Sequence, residues 1–217
     1  MKPLIDIYRN DLAQAPDKYT SYFPVYEQFF SKYRNQNITF IEVGVQKGGS
    51  LDMWRKYFGS PAKIIGIDID PRVVEHQRND LQIIIGDQSD PVFWKKCLPE
   101  IGTIDIFLDD GGHTMAQQKN TLLSVWPYIA NGGVYMCEDT HTSYFHSWGN
   151  GLNKNWTMME FTKSLTDMVN VMHWEDPYPD TNILNMFKDI GSVHYYNSMI
   201  VLTKGQPAWE RPNPVHY

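Results

Sequence analysis

The sequence predicts a single α/β domain built on a doubly wound, mostly parallel seven-stranded sheet, and three observations predict it. Short apolar runs of strand length recur along the chain, separated by segments whose apolar residues follow helical spacing. The first five runs each close on glycine or on acidic residues. A length of 217 residues with 42% apolar content suits one domain with a substantial core and is short for two.

The elements follow in order. Tyr22, Tyr26, Phe29, Phe30 and Tyr33 recur at helical spacing, so residues 1–36 read as an N-terminal helical segment. Ile38 to Val43 form a first strand that runs into Gly44, and Ser50 reads as the N-cap of a helix burying Leu51, Trp54 and Phe58. Lys63 to Asp68 make a second strand, with Pro71 in the first turn of the next helix. Leu81 to Ile85 and Ile104 to Asp109 make the third and fourth, closed by Gly86-Asp87 and Asp110-Gly111-Gly112. Leu122, Val125, Trp126 and Ile129 share a helix face, after which Asn131-Gly132-Gly133 turns into a fifth strand ending at Glu138-Asp139. Residues 140–155 read as a lid loop over the site. Phe161, Leu165, Met168, Val169 and Met172 form a helical stripe, Ser192 to Thr203 a closing β-hairpin, and 204–217 an irregular tail. Strands alternating with helices require a parallel sheet covered on both faces. Ligands of such sheets sit beyond the carboxyl ends of the strands, where Glu42, Asp68, Asp87, Asp109, Asp110, Glu138 and Asp139 gather.

Bulk properties exclude several classes. A net charge of −6 without a long run of either sign argues against a broad nucleic-acid footprint. Cys97 and Cys137 lack CxxC spacing and read as free thiols of a reducing compartment. The N-terminus lacks a signal-peptide apolar core, and no stretch approaches the ~20 apolar residues of a membrane span. The expectation is a cytoplasmic protein.

The first strand-to-helix turn, Glu42-Val-Gly44-Val-Gln-Lys-Gly48-Gly49-Ser50, places glycines where a ligand can approach the backbone and meet helix N-terminal amides. The spacing is not the GxGxxG of dinucleotide folds. It resembles motif I of class I methyltransferases, which bind S-adenosylmethionine there. Asp68, 24 residues beyond Gly44, stands where an acid accepts ribose hydroxyls. Gly86-Asp87-Gln88 resembles the family's adenine-contacting segment. Glu42, Gly44, Gly48, Ser50, Asp68, Asp87, Gln88 and Asp109 are therefore the candidate donor-site residues.

Asp110-Gly-Gly-His113 and Glu138-Asp139 follow neighbouring strands. Carboxylates converging on one rim repel each other unless a cation is present, and hard oxygen ligands suit Mg²⁺. From Asp17-Lys18-Tyr19-Thr20 to Thr203 the chain resembles the metal-dependent sugar O-methyltransferases of macrolide biosynthesis, in the group with cephalosporin hydroxylase-like proteins. EVGVQKGGSLDMWRKYF, GIDIDP, GDQSD, DDGGHT and EDTHTSYF carry the resemblance. It implies a Rossmann-like fold, Asp110, Glu138 and Asp139 as ligands of Mg²⁺ or another divalent cation, and His113 as general base. Asp109 competes with Asp110, which family spacing favours by placing the base three residues after the ligand.

The resemblance further implies transfer of a methyl group to a rhamnose or other deoxysugar hydroxyl of a small molecule or glycan, and suggests homo-oligomers. Tyr144 and Trp148, after the acids, are candidate substrate contacts because aromatic faces stack on sugar C–H surfaces; His141 is the weaker alternative base. The macrolide enzyme with this pattern carries an added N-terminal domain, so contacts to a large aglycone are expected to differ. Competing readings are a catechol-type O-methyltransferase, a non-catalytic adenosylmethionine-binding protein and an NAD-dependent oxidoreductase, the last disfavoured by the missing GxGxxG.

Overall fold

A computed structural model describes residues 1–175 and 181–205. Its helices are α1 (Leu4–Asn10), α2 (Phe23–Phe30), α3 (Gly49–Phe58), α4 (Pro91–Ile101), α5 (Met115–Val125), α6 (Met158–Ser164) and α7 (Thr181–Phe187). Its strands are β1 (Thr39–Val43), β2 (Lys63–Asp68), β3 (Gln82–Ile85), β4 (Ile104–Asp109), β5 (Ile129–Cys137), β6 (Ile190–Tyr196) and β7 (Met199–Lys204). They form one sheet in the order β3-β2-β1-β4-β5-β7-β6. The first five run parallel, and β7 is antiparallel to both neighbours.

Strand alternation divides the core in two. Phe40, Ile64, Ile106, Leu108, Val134 and Val201 face α1, α2 and α3, meeting Leu4, Tyr26, Phe30, Trp54 and Phe58. Ile41, Ile65, Phe107, Tyr135 and Leu202 face the other layer, meeting Trp94, Leu122, Met158 and Phe187. Fully burying a side chain such as Phe40 stabilises the fold by ~1.5–3 kcal/mol. The order reverses between β1 and β4, so the loops after those strands flank the crevice where such sheets bind ligands.

Several local expectations change. Ser50 is not an N-cap: Gly48, at φ +74°, precedes α3, and the Ser50 hydroxyl turns inward. Ile129 leaves the helix, because Pro127 lies in a short 3-10 turn (Trp126–Tyr128) and β5 begins after it. Asn131-Gly132-Gly133 lies inside β5, beside an irregular pairing with β4. The Phe161–Met172 stripe is split between α6 and a 3-10 segment (Thr166–His173), leaving Met172 exposed. Lys204 still belongs to β7, and the expected irregular tail beyond residue 205 lies outside the described residues. Among the described residues no helix is long and apolar enough to cross a membrane.

Candidate active site

The turn after β1 is built around one close approach. Gly44 sits at φ +95°, and a Cβ there would lie 2.0 Å from the Asp110 carbonyl oxygen. Only glycine lets the β1 and β4 loops touch in this way. Asp68, at the end of β2, clamps the turn. Its Oδ2 accepts the N–H groups of Val45 and Gln46 at 2.8 and 3.1 Å, and its Oδ1 accepts that of Asp70 at 3.0 Å. Of about four acceptor positions on a carboxylate, three are thus taken by backbone.

Two cavities, of about 210 and 200 Å³, flank this turn and share Gly44, Gln46 and Asp110. Residues 14–18, Gly49 and Ser50 wall the first. Asp68, Ile69, Asp87, Gln88, Gly111 and Gly112 line the second. Gly44, Ser50, Asp68, Asp87 and Gln88 of the expected donor set are therefore brought together.

Glu42 and Asp109 of that set face inward, Gly48 lines neither cavity, and Gln88, though it lines the second, is bonded inward. Glu42 is fully buried, its two oxygens taken by Ser50 (2.6 Å) and Lys18 (3.1 Å). Gln88 spends its amide on the loop itself, accepting from Gly112 N at 2.7 Å and donating to Asp109 and Thr121. Asp109 lines neither cavity: strand alternation sets it on the Phe107 side, bonded to Gln88 at 2.9 Å and to the Tyr135 hydroxyl at 3.0 Å. Burial pushes its carboxyl up to about 6, although those hydrogen bonds act to lower it. Asp110, one residue past the strand, turns to the rim.

There Asp110, His113 and Asp139 each bring one ligand atom within 4.8 Å of the others. His113 and Asp139 both hold left-handed backbones, at φ +57° and +53°. Histidine and aspartate are among the residues that tolerate this conformation. The Thr142 hydroxyl supports the bend by donating to the His113 carbonyl at 2.8 Å. His113 Nε2 lies 3.5 Å from Asp139 Oδ2, and its buried Nδ1 has no hydrogen-bond partner among the described residues.

Glu138 does not join this triplet. Its side chain is buried, accepting from the Tyr26 hydroxyl and from Lys18 Nζ at 3.0 Å. The cation that lets the acids converge is in part the protein's own. Lys18 Nζ lies 2.5 Å from Asp110, 3.0 Å from Glu138 and 3.1 Å from Glu42. Burial alone would depress its pKa, but Asp110 and Glu138 outweigh that and hold it well above the ordinary lysine value. Burial raises the carboxyls of Glu42, Asp110 and Glu138 against the opposing pull of Lys18.

Beyond Asp139 a third cavity, about 240 Å³, is lined by Tyr19, Ser21, Tyr22, His141, Asn197 and Ser198. The Tyr22 hydroxyl contacts Asp139 Oδ1 at 2.6 Å and Ser198 Oγ at 2.9 Å, and Ser198 Oγ lies 2.5 Å from His141 Nδ1. Rings run outward from there: Tyr19 to His141 at 6.4 Å, His141 to Phe145 at 5.1 Å and Phe145 to Trp148 at 6.0 Å. Tyr144 and Trp148 are 40% and 46% exposed and stand outside the cavity wall. Lys18, Tyr22, Tyr26 and Ser198 had no local sequence signal: Lys18 reaches Asp110 and Glu138, Tyr22 reaches Asp139 and Tyr26 reaches Glu138 across more than ninety residues, and Ser198 joins through Tyr22.

This fold, with its glycine turn and acidic rim, is that of the class I methyltransferases, and residues 41–140 match the family described as Methyltransferase domain. Residues 41–140 are thus similar to a methyltransferase domain. The chain is 32% identical over 216 residues to 8-demethyl-8-(2-methoxy-alpha-L-rhamnosyl)-tetracenomycin-C 3'-O-methyltransferase of Streptomyces olivaceus, covering 93% of this chain and 54% of that protein. It is 31% identical to mycinamicin VI 2''-O-methyltransferase of Micromonospora griseorubida, covering 92% and 55%. The solved MycE methyltransferase of the mycinamycin pathway, in complex with Mg, SAH and mycinamycin VI, superposes with a TM-score of 0.78 at 27% identity. That match covers 92% of this chain and 54% of MycE. The chain spans about half the length of these relatives.

Proposed function

We propose that this chain binds S-adenosylmethionine in the paired cavities around Gly44 and transfers its methyl group to a hydroxyl of a sugar, with a divalent cation such as Mg²⁺ at the rim. The observation that carries the reading is the convergence of Asp110, His113 and Asp139 beside the donor turn. Relatives named for rhamnosyl and macrolide-sugar O-methylation, and a relative solved with Mg and SAH, support it.

The residues fit the roles. Asp68 and Asp87 line the second cavity, suited to the ribose and adenine of the donor. Residues 14–18 wall the first, suited to its methionine side. Mg²⁺ prefers oxygen ligands, so Asp110 and Asp139 are assigned to hold it, and His113 is left to accept a proton. For Glu138 to join them, its carboxylate must leave Lys18 and Tyr26. A bound divalent cation supplies positive charge that acidifies a neighbouring sugar hydroxyl. His113 would take the hydroxyl proton as the oxygen displaces the methyl group from the donor sulfonium, leaving S-adenosylhomocysteine. Tyr22 orients Asp139, and the third cavity, with its run of rings, receives the sugar. Of residues 140–155, read as a lid loop, His141 lines that cavity, and Tyr144 and Trp148 stand exposed beyond it.

Turnover on rhamnosides and other deoxysugar glycosides, with product position read by NMR, tests the reading. EDTA is expected to lower the rate at least tenfold and Mg²⁺ to restore it; full activity in excess EDTA would remove the cation. Calorimetry should show S-adenosylhomocysteine binding and no NAD binding, and donor binding without turnover on any acceptor leaves a binding protein. Asp68→Ala is expected to weaken S-adenosylhomocysteine binding at least tenfold, since it loses a ribose acceptor and releases the turn; unchanged affinity moves the nucleoside elsewhere. The acceptor class is a small molecule or glycan, not nucleic acid, and the two buried free thiols, Cys97 and Cys137, suit a reducing cytoplasm. Homo-oligomeric assembly belongs to the same reading, and light scattering reads it directly.

A further inference from the structure

Lys18 makes an unusual set of contacts. Its side chain is 1% exposed, and it reaches Glu42, Asp110 and Glu138 from a non-helical segment that carries it between α1 and α2. The second oxygen of Glu42 is taken by Ser50, and that of Glu138 by Tyr26. Asp110 differs: among the described residues its Oδ1 accepts no hydrogen bond, while Oδ2 is held by the ammonium at 2.5 Å. One ammonium serves three carboxyl groups. The same segment walls the first cavity and lies directly on the start of α3, where a Cβ on Gly49 would be 2.5 Å from the Gln14 carbonyl oxygen.

We propose that Lys18 is a positioning residue that couples the two halves of the site: it fastens the 14–18 wall of the donor cavity to the acid rim, and its ammonium shares Asp110 with the divalent cation and opposes that cation's binding. This rests on the reading of the site as a donor pocket beside a cation rim. The physics gives opposite signs for the two ligands. An ammonium 2.5 Å from a carboxylate oxygen neutralises much of the charge that would attract a divalent cation, and repels the cation itself. Removing it strengthens cation binding. The same loss frees residues 14–18 from Asp110, Glu42 and Glu138, so the donor wall loosens and donor binding weakens. A purely structural lysine would lower both affinities together.

Mn²⁺ binding by electron paramagnetic resonance and S-adenosylhomocysteine binding by calorimetry, on the wild-type chain, Lys18→Met and Lys18→Gln, test the proposal. Both variants are expected to bind Mn²⁺ at least tenfold more tightly and S-adenosylhomocysteine at least fivefold more weakly. Mn²⁺ affinity that is unchanged or weaker, or unaltered donor affinity, overturns the proposal. If neither variant folds, the wild type decides: the Lys18 ammonium resonance of ¹⁵N-lysine-labelled protein is expected to move on saturation with Mg²⁺, and a stationary signal overturns it. A wild-type chain that binds neither Mn²⁺ nor S-adenosylhomocysteine removes the underlying reading instead, and with it this proposal.

Discussion

His113→Ala is expected to lower methyl transfer by ~10²–10⁴ while leaving donor affinity within about threefold, the range a positioned general base contributes. The loop after β4 sets the imidazole beside Asp110 and Asp139, on a left-handed backbone that the Thr142 hydroxyl braces. Among the described residues its buried Nδ1 has no partner, and its Nε2 stands 3.5 Å from Asp139, too far for a good hydrogen bond. A ring whose Nε2 faces a rim carboxylate and whose Nδ1 is left over is poorly explained by packing alone. His113 lines neither cavity around Gly44, which is why binding and rate should separate. Single-turnover rates with calorimetric donor affinity read the two. A near-normal rate would pass the role to His141, which reaches Asp139 through Ser198 and Tyr22.

Gly44→Ala is expected to destabilise the fold by at least ~3 kcal/mol, out of the ~5–15 kcal/mol typical of a domain, and to abolish measurable donor binding. Two costs add. A side chain at φ +95° is strained by roughly 1–3 kcal/mol. The new Cβ would also lie 2.0 Å from the Asp110 carbonyl oxygen, a backbone atom that cannot swing away. Relief requires the β1 and β4 loops to separate, opening both cavities at the residues they share and moving Asp110 off the rim. For a chain of this size the melting temperature should fall by roughly 6–12 °C. Thermal unfolding by circular dichroism and calorimetry with S-adenosylhomocysteine check it, and a variant that melts and binds like wild type would show that the close approach is dispensable.

Much of this was legible in the residues. The ends of β2 and β4 fall at Asp68 and Asp109 in both sequence and structure, because an apolar run closed by an acid or glycine marks a buried parallel strand and its exit. The glycine turn was equally plain. Helix ends were less so: Ser50 has the chemistry of a cap, yet the buried Glu42 carboxylate claims its hydroxyl. Pro127 cut short the stripe that included Ile129.

What the sequence determined by itself is the order of the strands' exits, and with it the line of acids along one edge of the sheet. That information is local, carried by alternation over two residues and by turn chemistry over three or four. Which of those acids face the cavities and the rim was decided only by tertiary structure. Asp109 and Asp110 are adjacent in the chain, but the end of β4 falls between them and sends one inward and the other to the rim. Glu138 and Asp139 part in the same way, one to Lys18 and Tyr26 and the other to Tyr22 and His113. The partner that draws Glu138 and Asp110 together is a lysine 120 and 92 residues away. Burying its charge is favourable only where carboxylates already converge, so its role follows from the assembled fold.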